Sequence, residues 1–216
     1  MRALTPLEAR VLGVLIEKQA TVPDTYPLSL NALVAGCNQK TARHPVIEAT
    51  EAEVLTAIDG LKALSLVFEG SGARVVRYEH NMGRAMGVPG QAVALLAVLM
   101  LRGPQTAAEL RLNCERLHRF ADISSVEGFL DELAAKDPPR ALRLARAAGA
   151  REARWAHLLC GEVAEGPAAS PAAGGDGVAL GELAALKAEL SRQSAQLERL
   201  EALVRRMAGD LGIDNP

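Results

Sequence analysis

Tyr26-Pro-Leu-Ser-Leu-Asn-Ala-Leu-Val-Ala-Gly-Cys-Asn-Gln-Lys-Thr-Ala-Arg-His-Pro45 is the stretch that decides the fold. Its apolar first part reads as a short helix that stops at Gly36. A polar run with three basic residues, Lys40, Arg43 and His44, follows and ends on a proline. Thr50-Glu-Ala-Glu53 is then a capping box that opens a second helix, Thr50 to Ala63. Helix, polar turn, helix is the outline of a helix-turn-helix. The connection from Asn38 to Ala49 is long, and Val46-Ile47 within it predicts a short strand.

Upstream, Thr5 reads as an N-cap, with Pro6 in the first helical position and Glu8 completing a capping box. Leu7, Val11, Val14 and Leu15 then fall on one face. Downstream, Val54, Ala57, Ile58 and Leu61 form the stripe of an amphipathic helix. Ser65 to Glu69 and Ala73 to His80 read as two strands joined by Gly70-Ser-Gly72. Three helices followed by a hairpin is the order of a winged helix.

The second half of the chain repeats this order. Thr106 to Cys114 aligns with Ser29 to Cys37 at an offset of 77 residues, and Arg154-Trp-Ala-His157 stands 77 after Arg77-Tyr-Glu-His80. Ala92 to Leu101 matches the first helix. Val126, Phe129, Leu130 and Leu133 echo the stripe of the Thr50 helix. Several matches in one order point to a tandem duplication. The expected fold is α+β: a first winged-helix domain at 1–84 and a second at 85–161, with Gly83 to Gly90 as the connector.

Beyond them, 162–177 is almost all Gly, Ala, Pro and acidic residues, the composition of a flexible linker. From 178 to 211, Leu183, Leu186, Leu190, Gln193, Leu197, Leu200, Val204 and Met207 alternate spacings of three and four. That is a heptad with one polar position, the mark of a coiled-coil helix and a homodimer. An amphipathic tail folded back on its own domains is the other way to bury such a stripe.

Composition narrows the function. Among 216 residues, 49% are hydrophobic, enough for a core, while aromatics are 3%, too few for base-stacking platforms. A net charge of −2 gives no whole-chain pull toward DNA, so any contact must come from local patches. Three widely spaced cysteines form no C-x-x-C pair, which suits a reducing cytoplasm. There is no signal-peptide core and no apolar run long enough for a bilayer. The sequence carries no G-x-S-x-G, P-loop or H-E-x-x-H motif, so the expectation is a non-enzymatic protein without cofactor. Cys114 and His118 lie four apart but lack further ligands for a metal. Cys37 and Cys114, at matching positions, read as small buried side chains.

Arg10-Val-Leu-Gly-Val-Leu-Ile-Glu-Lys18, Val22-Pro-Asp-Thr-Tyr-Pro-Leu-Ser-Leu-Asn-Ala-Leu33, Cys37-Asn-Gln-Lys40, Arg77-Tyr-Glu-His80 and Leu101-Arg-Gly-Pro-Gln-Thr106 together resemble the YceH-type family of uncharacterised bacterial proteins. The resemblance covers about residues 4 to 162 and the trailing helix. It implies two consecutive winged-helix domains and no particular activity. Arg146-Ala-Ala-Gly-Ala-Arg-Glu152 departs from the family's more basic wing tip, which weakens any phosphate grip there.

The helix in the reading position, Glu51 to Ala63, bears Glu51, Glu53 and Asp59 against Lys62. Its counterpart bears Glu127, Asp131 and Glu132, with Lys136 near its end. Acidic helices are repelled by phosphates. The basic residues lie elsewhere: Lys40, Arg43 and His44 in the loop, and Arg140, Arg143, Arg146, Arg151 and Arg154 in the second wing. A further group, Arg111, Arg116, His118 and Arg119, is partly offset by Glu109 and Glu115. Wing and loop arginines can touch duplex DNA, and they can equally be solvated surface or a protein contact. Asn31, Asn38 and Gln39 read as caps or turn ligands. Tyr26, Tyr78 and Trp155 read as wing-to-helix packing. Two functions follow: a DNA-associated regulator, or a protein–protein adaptor that uses the same folds as docking modules.

Overall fold

The computed structural model describes residues 1–70, 75–146, 149 and 152–162. The linker beyond Glu162, the heptad helix with all its oligomerisation positions, and Arg151 lie outside the described residues. Met1–Ala164 form one compact unit of mixed α and β structure.

Local signals set the helices of the first half. In α1 (Pro6–Thr21) the Thr5 hydroxyl accepts from the Glu8 N–H while the Glu8 carboxylate accepts from the Thr5 N–H. A 3-10 turn, Pro23–Thr25, leads to β1 (Leu28–Ser29) and α2 (Leu30–Cys37). The helix α3 (Glu51–Ala63) starts on the Thr50 capping box, and its buried stripe is Val54, Ala57, Ile58 and Leu61. Strands β2 (Val67–Gly70) and β3 (Arg77–His80) close a sheet of order β1-β3-β2, all antiparallel.

Two sequence expectations need correction here. Gly36 does not stop α2, which runs through Cys37. It is the point where α2 meets α1: a Cβ there would stand 2.5 Å from Val14 Cγ1. Val46-Ile47 forms no strand, because no strand runs beside it. Asn38 instead holds that segment, its amide donating to the Ala49 carbonyl and its Oδ1 accepting from the Ala49 N–H. The expected boundary at residue 84 falls inside a short helix, α4 (Met82–Met86), whose methionines enter the core.

The second half follows in the same order. It comprises α5 (Gly90–Arg102), α6 (Ala107–Asn113), α7 (Ile123–Ala134), β4 (Ala141–Arg143) and β5 (Trp155–His157). The 77-residue offset is visible in the pairing: Leu28 pairs with Tyr78, and Gln105 forms an isolated bridge with Trp155. Thr106 caps α6 where Ser29 caps α2.

The halves share a core rather than standing apart. The helices α1 and α5 pack along each other, and Leu12, Leu15, Leu95, Leu96 and Leu99 are all fully buried. Backbone hydrogen bonds stitch the seam, from His44 N to Leu101 O and from Leu4 N to Leu159 O. This is why α5 is buried almost all round: every residue from Ala92 to Leu101 is inside.

Candidate functional site

The loop between α2 and α3 places its three basic residues in two different settings. Lys40 and His44 are exposed. The Arg43 side chain has no exposure at all. Its Nε donates to Gly36 O, Nη1 to Glu17 and to Ala42 O, and Nη2 to Glu17 and to Gln39 Oε1. All five guanidinium donors are satisfied inside the protein. Arg43 therefore has no free donor to offer a phosphate, contrary to the sequence expectation. A second buried arginine, Arg10, braces the loop from α1 by donating to Cys37 O and Pro45 O. Burial lowers its pKa.

The β4–β5 pair leaves more of its basic side chains exposed. Arg143 and Arg146 are exposed, and the Arg143 guanidinium lies 5.9 Å from the Trp155 ring centroid. Arg154 is committed on one side: it donates to Pro104 O at 3.0 Å and pairs with Glu109 at 3.4 Å. Arg140 is half-buried at the start of β4, where its backbone bonds to Leu133 and Leu158.

Arg143 and Arg146 border a concavity. This groove, of about 500 Å³, sits between the β4–β5 pair and the start of α7, and Ile123, Glu127, Glu152 and Trp155 are among its walls. Sequence reading singled out the arginines and Trp155 separately and missed that they meet. It also passed over Ile123, although an apolar residue directly after the Asp122 cap lies off the buried stripe. Ile123 is 44% exposed.

The first half has the corresponding corner, with different chemistry. Helix starts align Glu51 with Ile123 and Leu55 with Glu127. Val67 pairs with His80 as Ala141 pairs with His157, so Glu69 corresponds to Arg143 and Tyr78 to Trp155. Where the second corner holds an arginine over a tryptophan, the first holds a glutamate beside a tyrosine.

The aromatics pack as expected. Tyr78 and Trp155 are buried, and the Tyr26 hydroxyl accepts from the His80 N–H at 2.7 Å. Burial pushes the Tyr26 hydroxyl up to about 12. His80 and His157, equivalent positions at the ends of β3 and β5, are both pushed down to about 4 by burial. Cys37 and Cys114 are buried, and their thiols are raised to about 12, which keeps them protonated and unreactive. Asn38 and Gln39 serve the loop itself. Among the described residues no three His, Cys, Asp or Glu side chains gather as metal ligands, and no helix is long and apolar enough to cross a membrane.

Residues 4–150 match the family model described as "Protein of unknown function, DUF480". The whole chain is similar to bacterial proteins named UPF0502. It is 68% identical to one from Burkholderia multivorans over 99% of this chain and 92% of that protein. It is 67% identical to one from Leptothrix cholodnii over 99% of this chain and 97% of that protein. One from Paraburkholderia xenovorans is also 67% identical, over 99% and 91%. The chain belongs to this DUF480/UPF0502 family of bacterial proteins.

Proposed function

We propose that the chain is a non-enzymatic adaptor: two fused winged-helix units that dock another protein through the exposed faces of their third helices. The observation that carries this is the charge on those faces. Glu51, Glu53 and Asp59 stand outward on α3, and Asp131 and Glu132 on α7. A winged helix that reads DNA inserts this helix into the major groove, where carboxylates meet phosphates. With Arg43 consumed inside the fold, the first half keeps only Lys40 and His44 of its loop bases to offset them.

A photo-crosslinking amino acid placed at Thr56, exposed on α3, tests this in cells. A reproducible protein adduct that vanishes when the same group is placed at Arg84, exposed on α4, is the expected result. Adducts with nucleic acid alone would sink it.

One observation favours a second role, contact with duplex DNA: Arg143 and Arg146 flank the groove beside the second wing. Titration against duplex DNA at rising salt decides it. Binding that weakens steeply with salt and is lost in the Arg143→Ala/Arg146→Ala double variant supports DNA contact. No binding at micromolar protein removes it.

The heptad from Leu183 to Met207 supports a homodimer. Sedimentation of the full chain should give a dimer, and deletion from Val178 onward a folded monomer. A full chain that already sediments as monomer refutes the coiled coil.

A further inference from the structure

The corner between α3 and the wing of the first half has a defined chemistry. Glu51, Leu55, Asp59 and Lys62 follow one another at helical spacing and share one face of α3. Lys62 fixes which way that face looks: its Nζ pairs with Glu69 on β2 at 2.5 Å and reaches Asp59 at 3.9 Å. Glu69 in turn stands opposite Tyr78 on the sheet. The stripe therefore starts at the hairpin, where Lys62 meets Glu69, and runs back along α3 to Leu55 and Glu51.

Leu55 is 41% exposed there, and Val76, the residue before β3, is 45% exposed. The position equivalent to Val76 is Ala153, which borders the groove of the second half. The equivalent corner of the first half thus carries exposed apolar side chains and, among the described residues, three carboxylates, Glu51, Asp59 and Glu69, beside the ammonium of Lys62. Lys62 is already neutralised by two of them. What is left for a partner is exposed aliphatic surface with surplus negative charge.

We infer that this corner docks a cationic amphipathic protein segment, one that sets apolar side chains between lysines or arginines. This rests on the adaptor role proposed above and names the partner's chemistry. The apolar residues enter beside Leu55 and Val76, and the cations face Glu51 and the Lys62-bridged carboxylates. The second corner does not take the same segment, because Arg143 stands where Glu69 stands in the first. Such division of labour uses repulsion as well as attraction to choose the partner.

The test uses the full chain and two labelled amphipathic helical peptides with a common leucine face, one lysine-bearing and one glutamate-bearing. The lysine peptide should bind in the micromolar range, and the glutamate peptide at least ~10-fold more weakly. Leu55→Ala changes no charge, and the residue is exposed, so folding is preserved. It should weaken the lysine peptide by roughly 5–10-fold, as truncating an apolar anchor does. Glu127→Ala, the matching change in the second half, should leave binding unaltered. Equal binding of both peptides, no binding, or full affinity in Leu55→Ala overturns the inference, the last because it reduces the attraction to diffuse charge. If the lysine peptide fails while protein adducts still form at Thr56, the adaptor role survives and only this partner class is lost. If both fail, the adaptor role falls too.

Discussion

Between α2 and α3 the first half carries a long polar loop, Asn38 to Thr50. It is held from within by Arg43 on Glu17, Gly36 and Gln39, and by Arg10 on the carbonyls of Cys37 and Pro45. Between α6 and α7 the second half makes the same link with a shorter run, Cys114 to Asp122. There the loop is plugged by Phe120, 4% exposed, which meets His118 and Phe129 edge-on at 4.8 and 6.0 Å. The two halves close the corresponding gap differently, one with a buried cation and the other with an aromatic ring. A guanidinium ties down several carbonyls at once and suits a loop with many unpaired backbone groups. A ring fills volume and suits a short loop with few.

That contrast can be broken most directly at Arg43. Arg43→Ala leaves Gly36 O and Ala42 O without this donor and Glu17 and Gln39 with only Lys18 at longer range, and should cost about 3–5 kcal/mol in chemical denaturation. Arg43→Lys should recover only part of it, since an ammonium cannot serve five directions. A loss under about 1 kcal/mol would mean that charge does not hold the loop.

Phe120→Ala comes next, at about 3 kcal/mol, the lower end for a buried ring because His118 and Phe129 are only half-buried and can close in. Cavity relief by Phe120→Leu should restore most of it, whereas no apolar substitute should rescue position 43.

The wing histidines test where the halves are alike. An unfolded imidazole takes its proton near pH 6.5, and His80 and His157 take theirs near pH 4. Between those values the unfolded chain binds more protons, so stability is full above pH 6.5 and falls as the pH drops toward 4. Each ring should contribute on the order of 2 kcal/mol to that loss. His157→Leu should flatten the acid limb of the melting-temperature profile, and an unchanged slope would show that His157 charges without disturbing the wing. Glu8, held below the usual carboxylate range by Arg2 and Thr5, adds a loss at still lower pH.

The smallest effect belongs to the exposed pair Arg154–Glu109. Arg154→Ala should shift stability by less than ~1 kcal/mol. A larger loss would mark the bond to Pro104 O as a true fastening of the second wing.

What the sequence disclosed follows a physical line. Thr5 with Glu8 and Thr50 with Glu53 were legible because a capping box acts over three residues. The repeat was legible because Tyr78 and Trp155 keep both their spacing and their neighbours. Arg43 was misread because nothing within the loop separates a buried guanidinium from a solvated one: its partner Glu17 lies 26 residues away and is reached only through the fold. Gly36 was misread for the same reason. A glycine in a helix looks like a stop until Val14 is seen against it. The two corners escaped notice because each is assembled from a helix start and a hairpin far apart in the chain.

The seam between the halves has one more consequence. His44 N to Leu101 O and Leu4 N to Leu159 O leave no tether between the units to stretch or coil. A partner long enough to occupy both corners would meet them at a set distance. Its second foothold would form at an effective concentration fixed by geometry rather than by a linker's wandering. Avidity in this molecule would therefore be all or nothing: full for a ligand whose two ends match that distance, absent for one that is a few residues short.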